Sequence, residues 1–262
     1  MQPSSRLSSR RRFLRTIAAA GAGGLVACKL SGDPLDDFEG QERLASRVKA
    51  PTASITPGLH PLGIGAGRDA LLHVPASYQA SEPLPLVVLL HGAGGTALNW
   101  FGSYGARGDA NRFLMLAPES RSATWDVVSG TFSWDVQFID VALAWTFQHC
   151  AVDAGKIALA GFSDGASYAL SLGVANGDLF DRVVAYSPGF FRGSSVHGQP
   201  EMWVSHGTND GVLPINSTSR EIVPYFRGKG YAVEFTEFDG GHEVPATISD
   251  AAMGWLGTAW GT

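Results

Sequence analysis

Residues Leu84 to Leu90 read LPLVVLL, seven positions without a charge or a polar side chain, and the run stops at His91-Gly92. A run of that length is short for a helix. Its lack of alternation means that both faces of a strand would have to be covered. Both faces of a sheet are covered when helices cross over from one parallel strand to the next, so this segment points to an α/β architecture.

The rest of the chain from about residue 58 fits that reading. Further strands are expected at Ala70–Val74, Phe113–Ala117, Lys156–Ala160, Val183–Tyr186, Met202–Ser205 and Val233–Phe238. Helical spacing recurs at Ser133–His149 (Val136, Ile139, Val141, Leu143, Ala144, Phe147), at Ser167–Ala175, at Ser217–Arg227 and around Ala246–Trp260. The alternation predicts a mostly parallel central sheet flanked by helices in three layers. No insertion is long enough for a separate lid domain, and no internal repeat is visible.

Before residue 58 the composition changes. Ser9-Arg10-Arg11-Arg12-Phe13-Leu14-Arg15 resembles a twin-arginine export signal, and the weakly apolar Thr16–Ala27 has the length of a signal-peptide core rather than a membrane span. The stretch ends Leu25-Val26-Ala27-Cys28, which resembles a bacterial lipobox with Cys28 as the lipid-bearing residue. An Arg- and Ser-rich transit peptide has similar composition and is the alternative. A lipid anchor would place the exported protein in the periplasm or on the outer membrane. Residues 29–57 are rich in Asp, Glu, Pro, Ser and Ala without an apolar period and read as a flexible tether.

Five of the 19 basic residues fall in residues 1–27, which leaves 14 against 24 acidic ones, a net −10 for the remainder. An acidic body disfavours nucleic acid as a partner. Two cysteines, Cys28 and Cys150, exclude a disulfide framework and a Cys-rich zinc site. No metal-ligand spacing stands out, and the sequence sets no oligomeric state.

Gly161-Phe162-Ser163-Asp164-Gly165 matches G-x-S-x-G, a loose pattern in a chain with 33 glycines. Its weight comes from context, since a strand precedes it and a helix follows. A sharp strand-to-helix turn needs glycines at its flanks, aims the Ser163 hydroxyl out of the sheet, and offers helix N–H groups to a developing oxyanion. The alternative is a serine that merely caps the helix.

A serine hydroxyl needs a base, and in enzymes built on such an elbow the acid and then the histidine follow the nucleophile in the chain. Of seven histidines, His60, His73, His91 and His149 precede Ser163, and His197 and His206 leave little room for an acid. His242, in Gly240-Gly241-His242 before the last helix, fits. Asp210, in His206-Gly207-Thr208-Asn209-Asp210 just past a strand, is the best placed acid, with Asp239 and Asp181 as weaker rivals. His91-Gly92-Ala93-Gly94-Gly95 follows the buried strand and resembles an oxyanion loop, with the N–H groups of Ala93 and Asp164 as the expected donors. Gly92-x-Gly94-x-x-Ala97 also matches a dinucleotide fingerprint, but Glu119 lies too far on for the ribose acid. Phe190, Phe191 and Trp100 are candidates for a substrate pocket.

As an ordered set, H-G-A-G-G, G-F-S-D-G, H-G-T-N-D and G-G-H over residues 70–258 resemble the phospholipase/carboxylesterase group of α/β-hydrolases, and are similar to polyhydroxybutyrate-depolymerase-like and feruloyl esterases. The resemblance implies an α/β-hydrolase fold, a Ser163–His242–Asp210 triad, an acyl-enzyme mechanism on a small-molecule, lipid or polymer ester, and no cofactor. Asp164-Gly165-Ala166 departs from the commoner Gln-Gly-Gly and adds a carboxylate near the site, which disfavours anionic substrates. A non-catalytic binding lipoprotein on the same fold is the second class of reading.

Overall fold

The computed structural model describes residues 42–193 and 195–262. The expected signal peptide, Cys28 and the first part of the expected tether lie outside the described residues.

Eight strands form one sheet: β1 (Gly58–Pro61), β2 (Ala70–Val74), β3 (Leu84–Leu90), β4 (Leu114–Pro118), β5 (Val152–Phe162), β6 (Arg182–Tyr186), β7 (Glu201–Gly207) and β8 (Val233–Phe238). Their spatial order is β1-β2-β4-β3-β5-β6-β7-β8. β1 and β2 are antiparallel to their neighbours, and every pairing from β4 to β8 is parallel. This is the α/β-hydrolase fold.

Among the described residues, five α-helices cover the two faces: α1 (Leu98–Asn111), α2 (Trp134–His149), α3 (Asp164–Ala175), α4 (Ser219–Gly228) and α5 (Ala246–Trp260). All seven residues of β3 are buried, as its unbroken apolar run requires. Val87 and Leu89 point into one core with Trp100 and Tyr104 of α1 and with Ala252, Met253 and Leu256 of α5. Leu86, Val88 and Leu90 point into the other with Phe147 of α2, Tyr168 of α3 and Phe226 of α4. The result is three layers, with a core on each side of the sheet.

Three features differ from the sequence reading. Helix α1 was not expected, because Gly102, Gly105 and Gly108 fall inside it and glycine disfavours helix. Packing overrides propensity here. A Cβ at Gly108 would sit 3.1 Å from the His73 ring and 3.2 Å from the Met115 sulfur, so the small residue lets α1 lie close on the sheet. Val141, counted with the apolar face of α2, is instead 51% exposed.

Residues 42–57, expected to belong to the tether, run along the domain instead. The Leu44 N–H donates to Asn176 Oδ1 at 2.8 Å, and the N–H groups of Ala45 and Ser46 donate to Asp140 Oδ1 at 2.9 and 2.7 Å. Thr52 and Ala53 donate to the Gln148 carbonyl, and Arg43 pairs with Asp178 at 2.8 Å. The acceptors come from α2 and the end of α3, far away in sequence. Local periodicity could not announce them.

Candidate active site

The turn between β5 and α3 places Ser163 at φ 58° and ψ −120°, a strained conformation for a residue with a side chain. The flanking glycines make the turn possible. A Cβ at Gly161 would lie 2.2 Å from the Gly165 carbonyl oxygen, and one at Gly165 would lie 2.2 Å from the Leu90 carbonyl oxygen. The Ser163 N–H is spent on the Tyr186 carbonyl at 2.9 Å, which anchors the strained residue to β6.

His242 comes from the loop between β8 and α5, and Asp210 from the loop after β7. His242 Nε2 is 2.8 Å from Ser163 Oγ, and His242 Nδ1 is 2.6 Å from Asp210 Oδ2. The three side chains expected from the sequence therefore form one continuous hydrogen-bonded chain. Phe162 packs on the His242 ring at 4.8 Å between centroids and helps to hold it upright. A close backbone crossing fixes the two loops, since a Cβ at Gly207 would fall 2.3 Å from the Gly241 carbonyl oxygen.

The Asp210 side chain is fully buried. Burial alone would raise its carboxyl, but Leu213 N–H, His242 and Val212 N–H all hydrogen-bond to it and hold it below the usual carboxylate range. Both backbone donors reach Oδ1 at 2.8 Å. It is thus an anion at neutral pH, able to fix the His242 tautomer and to stabilise an imidazolium. The rival acids have other partners. Asp181 accepts from Ile157 N–H at 3.0 Å and from the Trp260 indole at 2.8 Å, and Asp239 accepts from the Asn209 amide at 2.8 Å.

Gly92 crosses directly over Ser163, where a Cβ would be 3.3 Å from Ser163 Cβ. Among the described residues, neither Ala93 N–H nor Asp164 N–H has a hydrogen-bond acceptor. The second lies at the N-terminus of α3, where free N–H groups and the helix dipole favour negative charge. The Asp164 carboxylate, which the sequence placed near the site, accepts from the Thr124 hydroxyl at 2.6 Å.

The sequence did not reveal what shapes the Gly92–Gly95 loop. His91 Nδ1 donates to the Gly92 carbonyl at 2.7 Å, and its Nε2 accepts from Ser120 N–H at 3.0 Å. Burial pushes the His91 pKa down and keeps this ring neutral. Arg68 donates to the Gly95 carbonyl at 2.8 Å, and the Trp125 indole donates to the His91 carbonyl at 2.7 Å. Arg68 and Trp125 stand in unrelated loops, with no motif to mark them.

A cavity of about 560 Å³ opens beside the Gly92–Gly95 loop, walled by Trp100, Tyr104, Phe162 and Val244 with Arg107 at its edge. Trp100 is where the sequence reading wanted an aromatic wall. Phe190 and Phe191 do not line this cavity. Phe191 packs on Phe226 of α4 at 4.8 Å, and Phe190 donates its N–H to Ser167 Oγ on α3. The loop after β6 folds back onto the helices of the opposite face.

A family described as Esterase matches residues 64–220. The chain belongs to this esterase family. Feruloyl esterase C of Emericella nidulans is 27% identical over 231 residues, covering 74% of this chain and 82% of the relative. An S-formylglutathione hydrolase from Staphylococcus aureus shares the fold with a TM-score of 0.63 at 12% identity, over 78% of this chain and 99% of that one. An acetyl xylan esterase from Aspergillus awamori superposes with a TM-score of 0.57 at 19% identity, over 76% of this chain and 99% of that one. The protein is a carboxylic ester hydrolase.

Proposed function

We propose that this esterase works through an acyl-enzyme on Ser163 and that its substrates are esters of aromatic acids of the hydroxycinnamoyl type. The observation that carries the mechanism is the hydrogen-bonded chain Ser163–His242–Asp210. Ser163 Oγ attacks the ester carbonyl carbon while His242 Nε2 takes its proton. The carbonyl oxygen gains negative charge and is met by the N–H groups of Ala93 and Asp164. Collapse breaks the bond to the leaving alkoxide, and His242 returns its proton to that oxygen. A water then attacks the acyl-enzyme, giving up a proton to His242, and releases the acid with Ser163 restored.

The substrate reading rests on the feruloyl esterase relatives and on the aromatic walls of the neighbouring cavity. An aryl group laid against Trp100 and Phe162 would bury apolar area at little cost in rotamer entropy. The experiment is a comparison of methyl ferulate with p-nitrophenyl esters from acetate to palmitate. A higher kcat/KM for ferulate than for the long acyl esters supports the reading, and a preference for palmitate overturns it in favour of a lipid ester.

The same proposal covers location. An export signal ending at Cys28 would leave the protein as a lipoprotein, and multiple acyl chains would hold it stably at a membrane. Between Cys28 and Glu42, the first described residue, lie residues 29–41, which can reach at most about 45 Å when fully extended. Labelling with a fatty-acid analogue that is lost in Cys28→Ser supports the anchor, and unchanged labelling overturns it.

A further inference from the structure

His206 belongs to the same H-G-T-N-D segment as Asp210, and the mechanism above leaves it unused. It is the penultimate residue of β7, is fully buried, and approaches the same Asp210 oxygen that His242 does. Its Nε2 is 2.8 Å from the Leu213 carbonyl oxygen and 3.2 Å from Asp210 Oδ2. Both neighbours can only accept, so Nε2 carries the proton. Its Nδ1 is 2.7 Å from Ser219 Oγ at the start of α4, a hydroxyl that can donate. Burial pushes the His206 pKa down, more than the Leu213 carbonyl and Asp210 oppose it, and the ring is neutral. Leu213 is thereby gripped from both sides, its carbonyl by His206 and its N–H by Asp210 Oδ1 at 2.8 Å.

Taking the Ser163–His242–Asp210 mechanism as given, we infer that His206 is a positioning residue that braces the 210–213 turn and sets the charge that Asp210 presents to His242. Its N–H dipole points at Oδ2, the same oxygen that accepts from His242 Nδ1, and offsets part of the negative charge that the His242 ring meets there. Ser219 fixes the tautomer that makes this possible. The other titratable groups acting on His206 are His242, which shares Asp210 Oδ2 with it, and Glu237, opposite it on β8 and paired with Arg220 at 2.5 Å.

The sign of the effect follows. His242 must be neutral to accept the Ser163 proton, and a more electron-rich Asp210 stabilises its imidazolium. Removing the His206 N–H therefore moves the acid limb of kcat/KM to higher pH.

The test uses the full chain with p-nitrophenyl acetate and compares His206→Phe, which keeps the ring and loses both hydrogen bonds, with His206→Gln, which keeps an N–H toward Leu213. In His206→Phe kcat should fall by about 10²-fold, the penalty for a slightly misplaced catalytic group, with little change in KM. Its acid limb should rise by about half a unit or more. His206→Gln should recover most of kcat and return the acid limb toward the wild-type position. A folded His206→Phe with wild-type kcat and acid limb overturns the inference. So does a variant that only melts earlier while its folded fraction, counted by fluorophosphonate titration, turns over normally. Ser163→Ala as a parallel control separates the two ideas: activity surviving there defeats the mechanism itself, whereas a dead Ser163→Ala beside a normal His206→Phe defeats only the role of His206.

Discussion

The reaction side of the site and its binding side are built in different ways. Ser163, Asp210 and His242 sit on turns after β5, β7 and β8, at the same end of one run of parallel strands, β5-β6-β7-β8. Their placement is enforced by backbone crossing backbone, at Gly165 under Leu90 and at Gly207 under Gly241. The proposed binding side is made by α1, whose Trp100 and Tyr104 reach the cavity from a glycine-containing helix held by side-chain packing and by side-chain contacts such as Tyr104 to Ser249 and Arg107 to Asp250. The first construction leaves little room for movement, and each of its positions is specific for residue type. The second is a wall of ordinary core residues that can be repacked. Chemistry and specificity should therefore respond separately to substitution.

The largest effect belongs on the reaction side. Ser163→Ala should lower kcat for p-nitrophenyl acetate on the order of 10⁶-fold with the fold unchanged. Asp210→Asn should cost about 10⁴-fold, because an amide stabilises the wrong His242 tautomer. Steady-state kinetics with a circular-dichroism check on folding measures both. Retention of more than a tenth of the activity in either would break the comparison.

Arg68→Met probes the support of the oxyanion loop. It removes the donor to the Gly95 carbonyl and leaves every proton-transfer group in place. The expected loss is about 10²-fold in kcat, close to that of removing one oxyanion donor. A change confined to KM would mean that the loop binds substrate without stabilising the transition state.

The smallest effects lie on the binding side, and they sharpen the contrast. Trp100→Ala should reduce kcat/KM for methyl ferulate by about 10-fold relative to p-nitrophenyl acetate, the loss of one aromatic contact. Phe191→Ala should leave that ratio alone and instead destabilise the fold by about 1–2 kcal/mol, since its ring packs on Phe226 and Tyr225. A shift in the ratio with Phe191→Ala, measured together with chemical denaturation, would move the acyl-binding wall to the loop after β6.

The same contrast explains what the sequence could say. The strand run Leu84–Leu90 and the order of Ser163, Asp210 and His242 were legible because each follows from a local rule: two buried faces for the first, strand-end turns and chain order for the others. Helix α1 was not legible, because Gly102, Gly105 and Gly108 argue locally against a helix that tertiary contacts impose. The supports of the oxyanion loop were invisible for the same reason. Arg68 reaches Gly95 and Ser120 from a distant loop, and nothing near Arg68 in sequence records that. Phe190 and Phe191 were placed at the pocket because a loop following a strand end commonly lines a site, whereas their rings fill the core around α4 and the space beside α3. Residues 42–57 looked like a tether because they lack an apolar period, yet their N–H groups are met by Asp140, Asn176 and Gln148.

The central claim is that His242 and Asp210 make Ser163 unusually nucleophilic. The most direct measurement is fluorophosphonate labelling of the wild type and of Ser163→Ala, read as intact mass and then mapped by peptide. The account predicts one adduct per chain, on the peptide holding Ser163, and none on the variant. A folded wild type that takes no label, or a variant that takes the same label, would contradict it.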